Sequence, residues 1–211
     1  MSHNLRIHLS NIKKSLDDVQ KSFPKINKKL KIKRDEFTDF VKNNMLKGYE
    51  YLDFLLAKDL QVLKKSGMQH MLEMNHIVLC GTDKHLRSEY YQHITATRRK
   101  FNENIVYIMK WCKKHNKDST KKIAAEIYVA ILSQPQLFIE GNHRTGTLIT
   151  NWMLMKNGFP PFVLNTDNAI AYFEPSSEIK MTSKTNKFSL PKYNKTYRKF
   201  LEHYLDKKYV K

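Results

Sequence analysis

Apolar residues along most of the chain recur every three or four positions, the period of an α-helix that buries one face. Between Leu5 and Phe23 they mark an amphipathic helix. Pro24 is expected to end it, because proline has no amide hydrogen to donate. Phe37, Phe40, Val41, Met45 and Leu46 repeat the pattern, which resumes after Gly48 through Tyr51, Leu52, Leu55 and Leu56. This predicts two helices, or one kinked helix, before Ser66-Gly67. Residues 76–84 break the rhythm: β-formers from Ile77 to Cys80 run into Gly81, predicting a short β-hairpin. Helical spacing returns at Leu86, Tyr90 and Ile94, at Ile105, Ile108, Met109 and Cys112, and at Ile123, Ile127 and Ile131 behind a Ser119-Thr120 cap. A further helix is expected from Arg144 to Asn157, with Leu148, Ile149, Trp152 and Met155 on one face and Gly158 as its stop. The expected fold class is all-α (mainly α): a helical bundle with one small hairpin.

Composition agrees with a folded chain. Of 211 residues, 41% are apolar and 27% charged, and Gly 6 with Pro 6 excludes a disordered or collagen-like composition. The longest apolar run, Ile127 to Leu132, is far too short to cross a bilayer, and the first residues hold no signal-like apolar stretch. A soluble, cytoplasmic protein is expected, with Cys80 and Cys112 reduced and no membrane span. The net charge of +18 is unevenly placed. Residues 1–34 carry ten Lys/Arg against Asp17 and Asp18, residues 180–211 carry ten against Glu202 and Asp206, and the rest holds 18 basic and 16 acidic residues. Two basic ends suit an acidic protein, a nucleic acid or an anionic lipid face as partner, or are simply solvated faces.

One segment carries chemistry. Gln134-Pro-Gln-Leu-Phe-Ile-Glu-Gly-Asn-His-Arg-Thr-Gly-Thr147 is a polar, glycine-bearing loop that feeds directly into a helix. The first amides of a helix lack internal partners and the dipole adds partial positive charge, so such a junction suits phosphate. Arg144 adds a full charge with forked donors. Glu140 supplies a hard oxygen for Mg²⁺ bridging phosphates. The same turn also serves as an ordinary connector between helices.

The string Phe138-Ile-Glu-Gly-Asn-His-Arg-Thr-Gly resembles the Fic motif, H-P-F-x-[D/E]-G-N-G-R-x-x-R, of the Fic/Doc (Fido) proteins. The likeness covers residues 70–175, flanked by an N-terminal helical region (1–69) and a basic C-terminal extension (176–211). It implies an α-helical domain that moves AMP from Mg-ATP to a Ser, Thr or Tyr hydroxyl of a target protein. By position it implies Phe138 as the loop's buried anchor, Glu140 as metal ligand, Gly141 and Asn142 as phosphate cradle, and Arg144 as clamp. The hairpin at 76–84 would correspond by chain order to the flap that holds the target segment by strand pairing.

The departures bear on activity. The position of the family's catalytic histidine holds Gln136 counting from Phe138, or Gln134 counting from Pro135. An amide accepts no proton near neutral pH, and loss of a general base typically removes roughly 10²- to 10⁴-fold of rate. His143 replaces the second loop glycine, where histidine tolerates the left-handed conformation the loop would ask of it; it is a candidate acid, base or phosphate ligand, or else a hydrogen-bonding or stacking residue of the loop. Thr147 replaces the second arginine, removing a charge from the nucleotide's tail. Some relatives are restrained by a helix bearing [S/T]-x-x-x-E-[G/N]; here Glu73 would face Thr147 without a partner, so that restraint is not expected. His70, His76 and His93 read as structural, without zinc spacing. Three readings stand: a transferase of altered mechanism, a non-catalytic relative that binds a ligand or partner, and a nucleic-acid-binding protein.

Overall fold

In the computed structural model, which describes residues 5–211, helices follow one another along the chain: α1 (Leu9–Lys29), α2 (Asp39–Ala57), α3 (Met68–Cys80), α4 (Lys84–Glu89), α5 (Tyr91–Lys114), α6 (Thr120–Leu132), α7 (Asn142–Lys156), α8 (Ala169–Lys180) and α9 (Ser189–Tyr204). The protein is all-α. Among the described residues only isolated β-bridges occur, and no helix is long and apolar enough to cross a membrane.

α7 is the central element. Its Leu148, Ile149, Trp152, Leu154 and Met155 are buried together with Asn142, Thr145, Thr147, Thr150 and Asn151, so its burial goes well beyond one apolar stripe. α6 and α3 flank it, α2 crosses it, and α9 lies across α6 with Tyr197 stacked on Tyr128, ring centroids 3.9 Å apart. The helix of the basic C-terminal stretch thus buries Tyr197, Phe200 and Leu201 in the common core. The first and last described segments meet as well: the His8 amide donates to the Tyr209 carbonyl at 2.8 Å, and Ile7 pairs antiparallel with Val210.

Several local expectations are corrected. α1 does not stop at Pro24 but continues to Lys29, and it starts at Leu9, since Arg6 to His8 pair with the C-terminus. Ile12, Leu16, Val19, Phe23 and Ile26 all pack into the core on one face, which offsets the hydrogen bond that Pro24 cannot make. α2 passes through Gly48 as one helix, and a β-carbon there would stand 2.6 Å from Leu148 Cδ1, so glycine permits the close crossing with α7. Ser119 occupies the N-cap position of α6 but makes no side-chain capping bond.

The hairpin expected over 76–84 is absent. Ile77 to Cys80 form the last turn of α3, and a turn at Gly81, with φ of +70°, leads to Asp83, which caps α4. Met71, Met74, Ile77, Val78, Leu79 and Cys80 are all buried between neighbouring helices, so an apolar run that reads as strand is a helix enclosed on most sides. Ser176 and Ser177 are buried in α8, where each hydroxyl bonds a carbonyl four residues back.

Asn151 on α7 fixes the chain that follows. Its side chain accepts from the Phe162 amide at 2.8 Å and donates to the Phe162 carbonyl at 2.6 Å, which holds residues 159–164 against the bundle. Removing it strands two buried main-chain groups. Asn151→Ala is expected to lower unfolding free energy by about 2–3 kcal/mol in urea titration, while exposed Asn157→Ala stays within about 0.5 kcal/mol of wild type.

Candidate functional site

The loop between α6 and α7 is built inward from Phe138, which is fully buried and stacked on Phe101 with centroids 5.5 Å apart. Asn142 then turns back on it. Its side chain accepts from the Phe138 amide and donates to the Phe138 carbonyl, both at 2.9 Å. Gly141 makes the reversal with φ of +72°, where a β-carbon would be strained and would crowd the Asn75 side chain at 3.0 Å. From α3, Asn75 donates to the Glu140 carbonyl and the Thr145 hydroxyl. No side chain caps α7, whose first backbone bond is from the Thr145 amide to the Gly141 carbonyl. The amides just before Thr145 are therefore left for a ligand or solvent.

The residues that carry these amides line a cavity of about 380 Å³, within the range of small-molecule sites. Gln136, Glu140, Gly141, Asn142, His143, Arg144 and Thr147 all line it. Gln134 does not: its main chain pairs with Thr182 and Lys184 and its side chain donates to the Lys180 carbonyl. Of the two glutamines only Gln136 is beside the cavity, buried, with its amide nitrogen on the Leu132 carbonyl. Much of the remaining lining is aromatic and aliphatic, including Phe37, Tyr49, Phe162, Tyr172 and Phe173.

The cations around the loop have unequal roles. Arg144 is half-buried and donates to the Val78 carbonyl at the end of α3. Burial works against its charge, and nearby Glu140 favours it. Lys180 stands exposed at the rim. Arg34, from the segment between α1 and α2, places Nη1 3.2 Å from His143 Nε2. Thr147 donates to the His143 carbonyl and meets the Tyr172 hydroxyl at 2.9 Å, so it closes the first turn of α7.

His143 does not take the left-handed conformation; it lies within α7, and the reversal falls on Gly141 alone. Its protonation state follows from its neighbours. A guanidinium only donates, so Nε2 accepts from Arg34 and Nδ1 carries the hydrogen. Nδ1 then donates toward the Tyr128 hydroxyl at 3.4 Å, Tyr128 to Ser176 at 2.9 Å, and Ser176 to the Tyr172 carbonyl at 2.5 Å. Both ends of this chain fix its direction. Burial first, then the charges of Arg34, Lys180 and Arg144, push the imidazole down to about 3. Such an imidazole is a weak base whose acceptor nitrogen is already engaged.

Glu140 is exposed at the cavity, and among the described residues no three His, Cys, Asp or Glu side chains converge as a metal cage. Glu140 shares the cavity lining with Asp35 and Glu36, and without a converging cage it fits Mg²⁺ as the companion of bound phosphates, since Mg²⁺ commonly takes one or two carboxylates plus phosphate oxygens and water. Glu73 pairs with Arg87 at 2.8 Å and does not reach the cavity. Sequence reasoning missed Arg34, Lys180 and the aromatic wall. Arg34 lies in a lysine-rich stretch and carries no local signal of its role. Neither a family model nor a curated protein matches the chain.

Since the folded imidazole titrates below the usual 6.5, the unfolded chain binds a proton that the folded one refuses as pH falls toward 3. This stabilisation is complete above the unfolded value and shrinks on acidification. Between pH 7 and 4.5 wild type is expected to lose about 2–3 kcal/mol more than His143→Gln in chemical denaturation. Parallel losses in the two proteins would discard the neutral, half-buried imidazole.

Proposed function

We propose that this chain is a Fic-like protein that binds a nucleotide through its phosphates at the start of α7 and lacks the proton-transfer group needed for efficient adenylyl transfer. The observation that carries the reading is the uncapped start of α7 opening on a cavity beside Arg144, a half-buried arginine with no carboxylate within 4 Å. Amides, helix dipole and guanidinium there all favour negative oxygens. Mg²⁺, when carried by the phosphates, would rest on Glu140 and offset their charge. ATP is the nucleotide this reading expects.

The aromatic wall supports a planar body on the ligand. Its polar groups are largely spent within the protein: Tyr49 donates to the Phe162 carbonyl, and Tyr172 is engaged with Thr147 and the His143 carbonyl. A base would be held by stacking and shape more than by its edges.

The absence of an effective base supports a binding role over a transferase. Gln136 stands at the cavity as an amide, and His143 is occupied and weakly basic. A target-protein hydroxyl would thus find neither Gln136 nor His143 able to take its proton. The free thiols Cys80 and Cys112 accord with a reducing compartment, and we place the protein in the cytoplasm.

Calorimetry of the purified chain with Mg-ATP is expected to show binding that Arg144→Gln weakens at least tenfold, with ATP, GTP and CTP agreeing within about tenfold of one another. Incubated with labelled ATP and a cell lysate, wild type is expected to leave protein unlabelled, whereas Gln136→His, but not Gln134→His, gains label. Nucleic-acid binding that falls steeply with salt and survives Arg144→Gln, without nucleotide binding, would replace this reading by one in which the basic ends act.

A further inference from the structure

Four arginines are half-buried among the described residues: Arg34, Arg87, Arg144 and Arg198. Two have a carboxylate partner, Arg87 with Glu73 at 2.8 Å and Arg198 with Glu202 at 3.6 Å. The two without one, Arg34 and Arg144, line the same cavity. Partly desolvated charge is costly unless an opposite charge offsets it, so this coincidence marks where a counter-charge is missing.

Arg34 is held in place rather than left to solvent. Its amide donates to the Asn27 side chain at 2.8 Å, and its carbonyl accepts from the same side chain at 2.9 Å. Nη2 donates to the Phe173 carbonyl at 3.1 Å and to the Ser177 hydroxyl at 2.8 Å, and the guanidinium lies 5.2 Å from the Phe173 ring centroid. Every partner is neutral. Nε is shielded from solvent and has no partner at all. Asp35, Glu36 and Glu140 face the cavity but are exposed, and none comes within 4 Å of either guanidinium.

We propose that Arg34 is a second guanidinium of the anion site, so that the cavity recognises a chain of two or more phosphates rather than a single one. The assignment rests on the reading that phosphate binds at the start of α7. The amides and Arg144 hold one phosphate group there; Arg34, beside His143, reaches the next. The contacts to Phe173 and Ser177 fix the guanidinium before the ligand arrives, so little side-chain freedom is lost on binding.

Inorganic phosphate and pyrophosphate are the probes, because they carry no base. Calorimetry at fixed salt is expected to show wild type binding pyrophosphate at least tenfold more tightly than phosphate. Arg34→Gln should weaken pyrophosphate at least tenfold while changing phosphate less than threefold, so that the ratio collapses. Arg34→Lys should retain an intermediate ratio, and Ser177→Ala, which loosens the guanidinium without removing it, should lower the ratio severalfold. Thermal melts accompany each variant. Should Arg34→Gln fail to fold, Arg34→Lys and Ser177→Ala carry the test, and an unchanged ratio in both overturns the proposal. Pyrophosphate binding that Arg144→Gln weakens and Arg34→Gln leaves intact removes Arg34 alone. Absence of binding of either anion to wild type removes the α7 reading itself.

Discussion

The hydrogen bonds of Asn142 to both main-chain groups of Phe138 are the constraint on which the site depends. They close the loop over a buried aromatic anchor and place Gly141 at the one position where the chain must reverse with positive φ. Because both partners are buried, an alternative loop would leave an amide and a carbonyl unsatisfied, at a cost of about 1–3 kcal/mol for each group. Asn75 ties the same loop to α3, and Asn151 repeats the two-bond grip at the far end of α7. The helix that presents its amides to the cavity is thus held at both ends by polar side chains within an otherwise apolar bundle.

Electrostatics around this junction run against stability. Two partly desolvated guanidiniums lack carboxylates, and burial first, then these charges and Lys180, keeps His143 neutral. Proteins depart from local optimum mainly where function demands it, and here the departures converge on one cavity. The neutral imidazole fits this picture: accepting from Arg34 and donating toward Tyr128, it orders a cation without adding another. The same engagement that makes His143 a good structural partner makes it a poor proton acceptor.

Much of the helical framework was legible, because burial of one face leaves a period along the chain whatever the neighbour is. Ile123, Ile127 and Ile131 in α6, and Leu148, Trp152 and Met155 in α7, obey that rule. Where burial is not one-sided the rule fails. α3 is enclosed on most sides, so its last turn reads as strand, and α1 survives Pro24 because its apolar face has a core to pack against. The candidate site divides in the same way. Gln136 and residues 140–147 were marked by their own string of residues, since a loop leading into a helix is a local event.

Local order along the chain by itself determined the helical class, the positions of most helices and the loop with its glutamate, glycine, asparagine and arginine. Tertiary structure alone decided which glutamine faces the cavity, that His143 is neutral, and that Arg34 reaches it across 109 residues of chain. The reason is physical: secondary structure and turns are selected by neighbours in sequence, whereas charge, burial and protonation depend on whatever the packed helices bring together.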